Sequence, residues 1–136
     1  MRAIERHRPF DTTVLGAIAL GGAIGATGRW SVSWLFDAAD PNAPTAAWPW
    51  ATLVVNVVGC ALIGLAARRL TRETVGWEFA VTGVLGGFTT FSALAVELND
   101  LAEADRLPLA VAYGAVTLVG GVGATFLARR PIEVGE

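Results

Sequence analysis

The chain has 136 residues, 54% of them hydrophobic and only 16% charged, with a mean hydropathy of +0.54. A soluble domain carries about 25% charged residues. A lone cysteine, Cys60, and a lone histidine, His7 in the charged N-terminal tail, exclude an intrachain disulfide and leave no material for a cysteine or histidine metal site or a catalytic triad. The net charge of −2 carries little information, because the charges sit at the ends of apolar runs, and all ten basic residues are arginine.

Arg2, Arg6 and Arg8 precede the first apolar run, as they do in a signal peptide. Three more runs follow and the first has its own polar pattern, so it reads as a retained helix over 13–36. Gly21 and Gly25 lie four apart on it, the small-xxx-small spacing by which helices associate in lipid. Packing inside one bundle and a dimer interface both satisfy that spacing. Arg29 ends this glycine-rich face, either snorkelling to the interface or placing positive potential at a pore mouth. The stretch from Gly22 to Arg29 superficially resembles a phosphate loop. No strand precedes it and no Gly-Lys-Ser/Thr follows.

A loop with Pro41, Pro44, Pro49 and the turn formers Asp40 and Asn42 separates helix 1 from helix 2, predicted over 50–67 and closed by Arg68-Arg69. Thr52, Asn56 and Cys60 follow at steps of four and form one stripe. An amide in hydrocarbon is costly unless paired. Asn56 therefore either bonds another helix or faces an anion as a donor.

Helix 3 is predicted over 75–98, after a polar turn at Thr71–Thr74. In its middle stands Gly86-Gly-Phe-Thr-Thr-Phe-Ser92, two helix-weakening glycines followed by three hydroxyls. A bilayer tolerates non-helical backbone only where protein buries it or where it lines a polar cavity. The helix is thus expected to break near its middle. Glu97 lies near its end and has three open roles: a solvated acid, a partner for Arg29, or a proton-carrying carboxylate.

An acidic turn is predicted from Asn99 to Arg106. Helix 4 follows over 107–128, with Pro108 suited to a first turn and Arg129-Arg130-Pro131 as its stop. Tyr113 and Thr117, four apart, repeat the polar device of helix 2. Trp30, Trp34, Trp48, Trp50 and Trp77 fall near helix ends, as interfacial aromatic belts do.

Four runs of about 20 apolar residues match a hydrocarbon core of ~30 Å and use most of the length. The fold class is therefore an all-α membrane protein, one four-helix transmembrane domain over 1–136. With four crossings, Arg2, Arg6, Arg8, Arg68, Arg69, Arg72, Arg129 and Arg130 share one side, against Arg29 and Arg106 on the other. That bias predicts a multi-pass protein of the cell membrane with both termini cytoplasmic. The deep polar groups are donors and hydroxyls, with no carboxylate cluster, histidine or catalytic dyad. That favours passage of a small anion over enzymatic catalysis, and no nucleic-acid partner is expected.

Gly25-Ala-Thr-Gly-Arg29, Thr52-Leu-Val-Val-Asn-Val-Val-Gly59 and Gly86-Gly-Phe-Thr-Thr-Phe-Ser92 resemble the CrcB/Fluc fluoride channels, in order and spacing. The resemblance implies a four-helix subunit, antiparallel dimerisation, two fluoride pores and a structural sodium ion at the dimer centre. By position, the fluoride pathway it implies comprises Asn56, Phe91, Ser92, Tyr113, Thr117 and Arg29. Gly86 and Thr89 resemble the positions whose backbone carbonyls hold sodium, and Glu97 matches the acid after the broken helix.

Three positions depart from that pattern. Ala93 stands where serine or threonine is usual, Leu94 where a second phenylalanine is usual, and Gly121 where a second serine on helix 4 is usual. A pore using this helix 3 is then expected to lack one polarised ring edge. The arginine bias favours insertion one way only, and hence a heterodimer with an oppositely oriented homologue over a homodimer. The competing classes are a proton-coupled multidrug exporter, which needs a carboxylate in 14–28 that is absent, and a structural partner subunit with a decayed pore.

Overall fold

The structure is a computed structural model and describes residues 11–40 and 47–130. Arg2, Arg6, His7, Arg8, Pro41, Asn42, Pro44 and Pro131 lie outside the described residues. All regular structure among the described residues is helical.

Helix α1 (Thr12–Ala39) opens on Asp11, whose carboxylate accepts the Thr13 amide at 2.8 Å, satisfying one of the orphan donors of a first turn. Helix α2 (Trp50–Arg69) ends on Arg68 and Arg69, cations at the negative end of the helix dipole. The third rod has five parts. A short turn α3 (Val75–Trp77), capped by the Thr74 hydroxyl, leads into a π-helical stretch (Glu78–Leu85) and then α4 (Gly86–Phe88). Thr89 and Thr90 are extended, and α5 (Phe91–Glu103) resumes on Thr90, whose hydroxyl accepts the Ala93 amide at 3.1 Å.

Helix α5 continues through Asn99–Glu103, where the sequence reading places an acidic turn. Asn99 Nδ2 donates to Glu103 Oε1 at 2.9 Å, one turn on, and supports the extra length. The helix stops at Asp105, which has a φ of 57°. Arg106 N donates to Leu101 O and Asp105 N to Ala102 O, the paired bonds of a Schellman ending, with aspartate tolerating the left-handed position. Helix α6 (Leu107–Arg129) carries Pro108 in its first turn.

Packing divides the rod between two neighbours. Its first half lies on α1. Gly21 and Gly25 are the buried residues of α1, and a Cβ at Gly21 would come within 3.0 Å of Gly83 Cα, while one at Gly25 would run into the Val84 carbonyl. The Gly21–Gly25 spacing is thus used within the subunit. The second half of the rod crosses onto α6, which also packs along α2. A Cβ at Gly120 would sit 3.3 Å from Val57 Cγ2, one at Gly121 3.1 Å from Cys60 Sγ, and one at Gly64 3.1 Å from Thr125 Cα, so α2 and α6 run parallel with their C-terminal ends together. Thr125 Oγ1 ties the pair by donating toward both Cys60 O and Gly121 O.

The buried apolar core among the described residues is small: Val55, Leu85, Leu94, Leu101, Ala110 and Tyr113. Large apolar side chains such as Leu20, Trp30, Phe91, Val119 and Phe126 point outward, far more apolar perimeter than a soluble monomer shows. Among the described residues three segments, Trp50–Arg69, Val75–Glu103 and Leu107–Arg129, are long and apolar enough to cross a membrane. The glycines, hydroxyls and Arg29 of α1 leave it short of that apolarity.

Candidate functional site

An unbroken helix through Thr90 would close its amide on Gly86 O. That amide donates instead to Asn56 Oδ1 at 2.8 Å, and Asn56 Nδ2 returns a bond to Thr90 O at 2.9 Å. Asn56, 9% exposed in the middle of α2, thereby takes the place of a backbone partner for Thr90. Of its two open roles, the interhelical bond is made. Asn56 Nδ2 carries two hydrogens, and this bond uses one of them.

The neighbouring contacts fix the same interruption. Thr89 N and Thr89 Oγ1 both donate to Leu85 O at 2.9 Å. The Thr89 methyl fills the space that a side chain at Gly59 would occupy. Arg29 Nε donates to Gly87 O at 3.2 Å, so its guanidinium is bound to the broken segment, and it neither partners Glu97 nor only snorkels. Thr90 Oγ1 and Ser92 Oγ stand 3.2 Å apart.

Phe91 and Leu94 part company here. The Phe91 ring is 78% exposed and stands on the outer face of α5. Leu94, 4% exposed, is clustered with Leu101, Ala110 and Tyr113, so it serves as a packing residue of the subunit interior.

One turn beyond, Glu97 joins three helices. Thr52 Oγ1 donates to Glu97 Oε1 and Tyr113 OH to Glu97 Oε2, both at 2.6 Å, short distances typical of hydroxyl donors on a carboxylate. Tyr113 is fully buried, with its ring edge-on to Trp48 at 5.5 Å. The Thr117 hydroxyl donates back to Tyr113 O at 2.8 Å, so its proton is spent on its own helix. A cavity of about 380 Å³ opens beside Glu97, walled by Asp37, Asp40, Asp100, Trp48 and Trp50.

The structure thus brings Asn56, Thr89, Arg29 and Gly86 to one place, and Tyr113 and Thr117 to a second, linked by α2 and α5. Phe91 and Ser92 lie on the rim. Sequence reasoning left Glu97, Thr52 and Thr90 outside the site. The step of four from Thr52 to Asn56 was the available signal for Thr52; the partners of Glu97 come from α2 and α6, and no spacing within one helix points to them.

Among the described residues no group of three histidine, cysteine, aspartate or glutamate side chains could hold a metal ion. A cation here would need neutral oxygens. The interruption supplies that chemistry, because the amide that would close on Gly86 O is turned to Asn56 and Thr89 is itself extended. Carbonyls at a helix break suit a hard monovalent cation such as sodium.

A family model described as "CrcB-like protein, Camphor Resistance (CrcB)" matches residues 16–129. A protein of Agrobacterium fabrum named "Fluoride-specific ion channel FluC" is 43% identical over 117 residues, covering 82% of this chain and 90% of its own. "Fluoride-specific ion channel FluC 1" of Streptomyces coelicolor is 40% identical over 124 residues (85% and 74%). "Fluoride-specific ion channel FluC 2" of Nocardia farcinica is 37% identical over 131 residues (93% and 90%).

Proposed function

The chain belongs to the CrcB-like family, and from that membership we propose that it is a multi-pass membrane subunit through which fluoride leaves the cytoplasm passively, down its electrochemical gradient. It is a fluoride channel protein and not an enzyme. The observation that carries this reading is identity of about 40%, across most of the chain, to proteins named for fluoride-specific conduction. The polar groups at depth are consistent with it.

In the finer reading, α1 supplies the fourth crossing despite its lower apolarity, the third helix is broken at Thr89–Thr90, and both termini are cytoplasmic. Fluoride is small and strongly hydrated, so a pore must replace its water with donors. The second Nδ2 hydrogen of Asn56 is one such donor; Ser92, Tyr113 and Thr117 lie along the same path, where the hydroxyl protons of Tyr113 and Thr117 would have to turn from Glu97 and the Tyr113 carbonyl to meet the ion. The Phe91 ring presents the positive edge of its quadrupole to an anion without offering water a binding site. Arg29 adds positive potential beside the broken segment.

The exposed ring of Phe91 needs a second subunit to become a pore wall, and an antiparallel dimer of family members provides one. Gly86 and Thr89 carbonyls from both subunits would hold a sodium ion at the dimer centre, where it supplies a fixed positive charge. The numbered relatives, FluC 1 and FluC 2, agree with a partner of the same family, and the arginine bias favours a heterodimer over a homodimer. The burial of Leu94 beside Tyr113 favours a second reading for one pore of that dimer, in which this subunit contributes packing and no second ring edge.

Fluoride efflux from liposomes, read by a fluoride electrode with chloride as control, tests the assignment. Selective efflux is expected from the chain co-expressed with a second family member. Co-reconstituted vesicles that pass chloride as fast as fluoride, or neither ion, would overturn it. Selective efflux from the chain alone would retain the channel and remove the heterodimer.

A further inference from the structure

The parallel course of α2 and α6 brings their C-terminal ends to one end of the molecule. Arg68 Nη1 donates to Ala128 O across that junction at 3.4 Å, beside the Gly64–Thr125 contact. Arg69, Arg129 and Arg130 surround it, and Arg72 lies on the following turn with its guanidinium 5.5 Å from the centre of the Trp77 ring. Except for the indole, all these side chains are exposed. Among the described residues three acids share this end, Asp11, Glu73 and Glu78; Asp11 accepts the Thr13 amide at 2.8 Å and the Glu78 carboxylate accepts the Thr82 hydroxyl at 2.7 Å. Among the described residues none of the five guanidinium groups has a carboxylate partner. The opposite end carries Asp37, Asp40, Asp100, Glu103 and Asp105.

Complementing two helix dipoles accounts for one cation per helix end, not for five that have no carboxylate partner among the described residues. A guanidinium presents a planar fork that fits phosphate oxygens two at a time. An indole at the same level fits the interfacial zone where headgroups lie.

We propose that the junction of the α2 and α6 ends is a binding site for an anionic phospholipid, its phosphate held by Arg68 and Arg129, with Arg69 and Arg130 flanking and Arg72 against Trp77 marking the headgroup level. The lipid's tails then cover the outward apolar faces of the same two helices, represented by Leu62 and Phe126. This inference does not rest on fluoride conduction, and its test does not read flux.

The test is phosphatidylglycerol binding to the full chain in an uncharged detergent, followed by native mass spectrometry, with phosphatidylcholine and glycerol 3-phosphate as comparisons. Each basic residue near an anionic headgroup contributes about 1 kcal/mol, so Arg68→Gln with Arg129→Gln should weaken phosphatidylglycerol binding about 25-fold. Phosphatidylcholine binding should not change. Arg68→Lys with Arg129→Lys should fall between, because it keeps the charge and loses the fork. Equal phosphatidylglycerol affinities in the wild type and the glutamine variant would overturn the site. So would phosphatidylglycerol binding no tighter than phosphatidylcholine. Glycerol 3-phosphate competing as well as the whole lipid would overturn the lipid in favour of a free phosphate. Should the glutamine variant fail to fold, a salt titration of the wild type decides: phosphatidylglycerol binding must weaken as salt rises, and a flat response refutes the proposal.

Discussion

Replacing Asn56 by alanine removes both bonds that hold Thr90 in its extended conformation. Two backbone groups, Thr90 N–H and Thr90 C=O, then lose their side-chain partner at 2.8 and 2.9 Å. A buried backbone group left unsatisfied costs roughly 1–3 kcal/mol, so the broken conformation loses about 2–6 kcal/mol. The Thr90 amide can recover one bond by closing on Gly86 O, and that recovery straightens the helix. Asn56→Ala should therefore lower the unfolding free energy, measured in mixed micelles by denaturant titration, by at least about 2 kcal/mol, and should abolish selective fluoride efflux. Asn56→Asp retains the acceptor for Thr90 N but sets a second carboxylate oxygen against Thr90 O, so the second bond is lost as in alanine and the buried charge adds a further cost. A carboxylate about 4 Å from a passing anion adds on the order of 4 kcal/mol of repulsion at an effective dielectric of 20, close to a thousandfold loss of rate. An alanine variant with unchanged stability and unchanged efflux would refute the reasoning, since it would show that Thr90 stays extended without Asn56.

Gly25→Ala should be worse than Gly16→Ala: the first drives a methyl into the Val84 carbonyl, whereas the second meets nothing within 4 Å. The yield of folded protein, or the difference in unfolding free energy, checks this, and overpacking of that kind costs at least about 1–3 kcal/mol. Tyr113→Phe removes the hydroxyl from Glu97 Oε2 and should cost about 1–3 kcal/mol of stability; Glu97→Gln, which keeps an acceptor for Thr52 or Tyr113, should cost less. Leu94→Phe, which restores the usual ring, should destabilise by about 1–3 kcal/mol without raising efflux, because Leu94 lies inside the Leu101–Tyr113 cluster and a larger side chain has no room there.

Gly86, Gly87 and three hydroxyls contradict an otherwise apolar run, helix propensity and bilayer chemistry disagree with continuity at the same residues, and beside them Thr89 and Thr90 are extended. Asn56 was legible as a polar group at depth, but its partner was not. The Thr90 backbone carries no compositional signal, and the pairing spans 34 positions. The acidic composition of Asn99–Glu103 misled for a physical reason: those side chains are exposed or bonded one turn apart, which costs a helix end nothing. Glu97 escaped assignment because both its donors arrive from other helices. Leu94 was read only by its position relative to Phe91; three residues along α5 it stands about 60° round the helix, and its burial against Leu101, Ala110 and Tyr113 depends on α6, which that spacing does not disclose. The π-helical stretch Glu78–Leu85, which buries Gly83 and Leu85, has no signature in its residue types.

That π-helical stretch works as a phase adjuster between the two halves of the third rod. Each residue of α-helix advances the face by about 100°, so deleting one residue within the stretch rotates everything downstream by about that much, and rewinding it to α geometry also changes the downstream phase. Val75–Trp77 would keep its place in the turn after α2. Gly87 would swing away from Gly22, and Thr90 would no longer meet Asn56. The orientation of the break is therefore set by winding that lies one to three turns before it. Length within 78–85 should accordingly be constrained more tightly than residue identity, the reverse of what an apolar membrane segment usually permits.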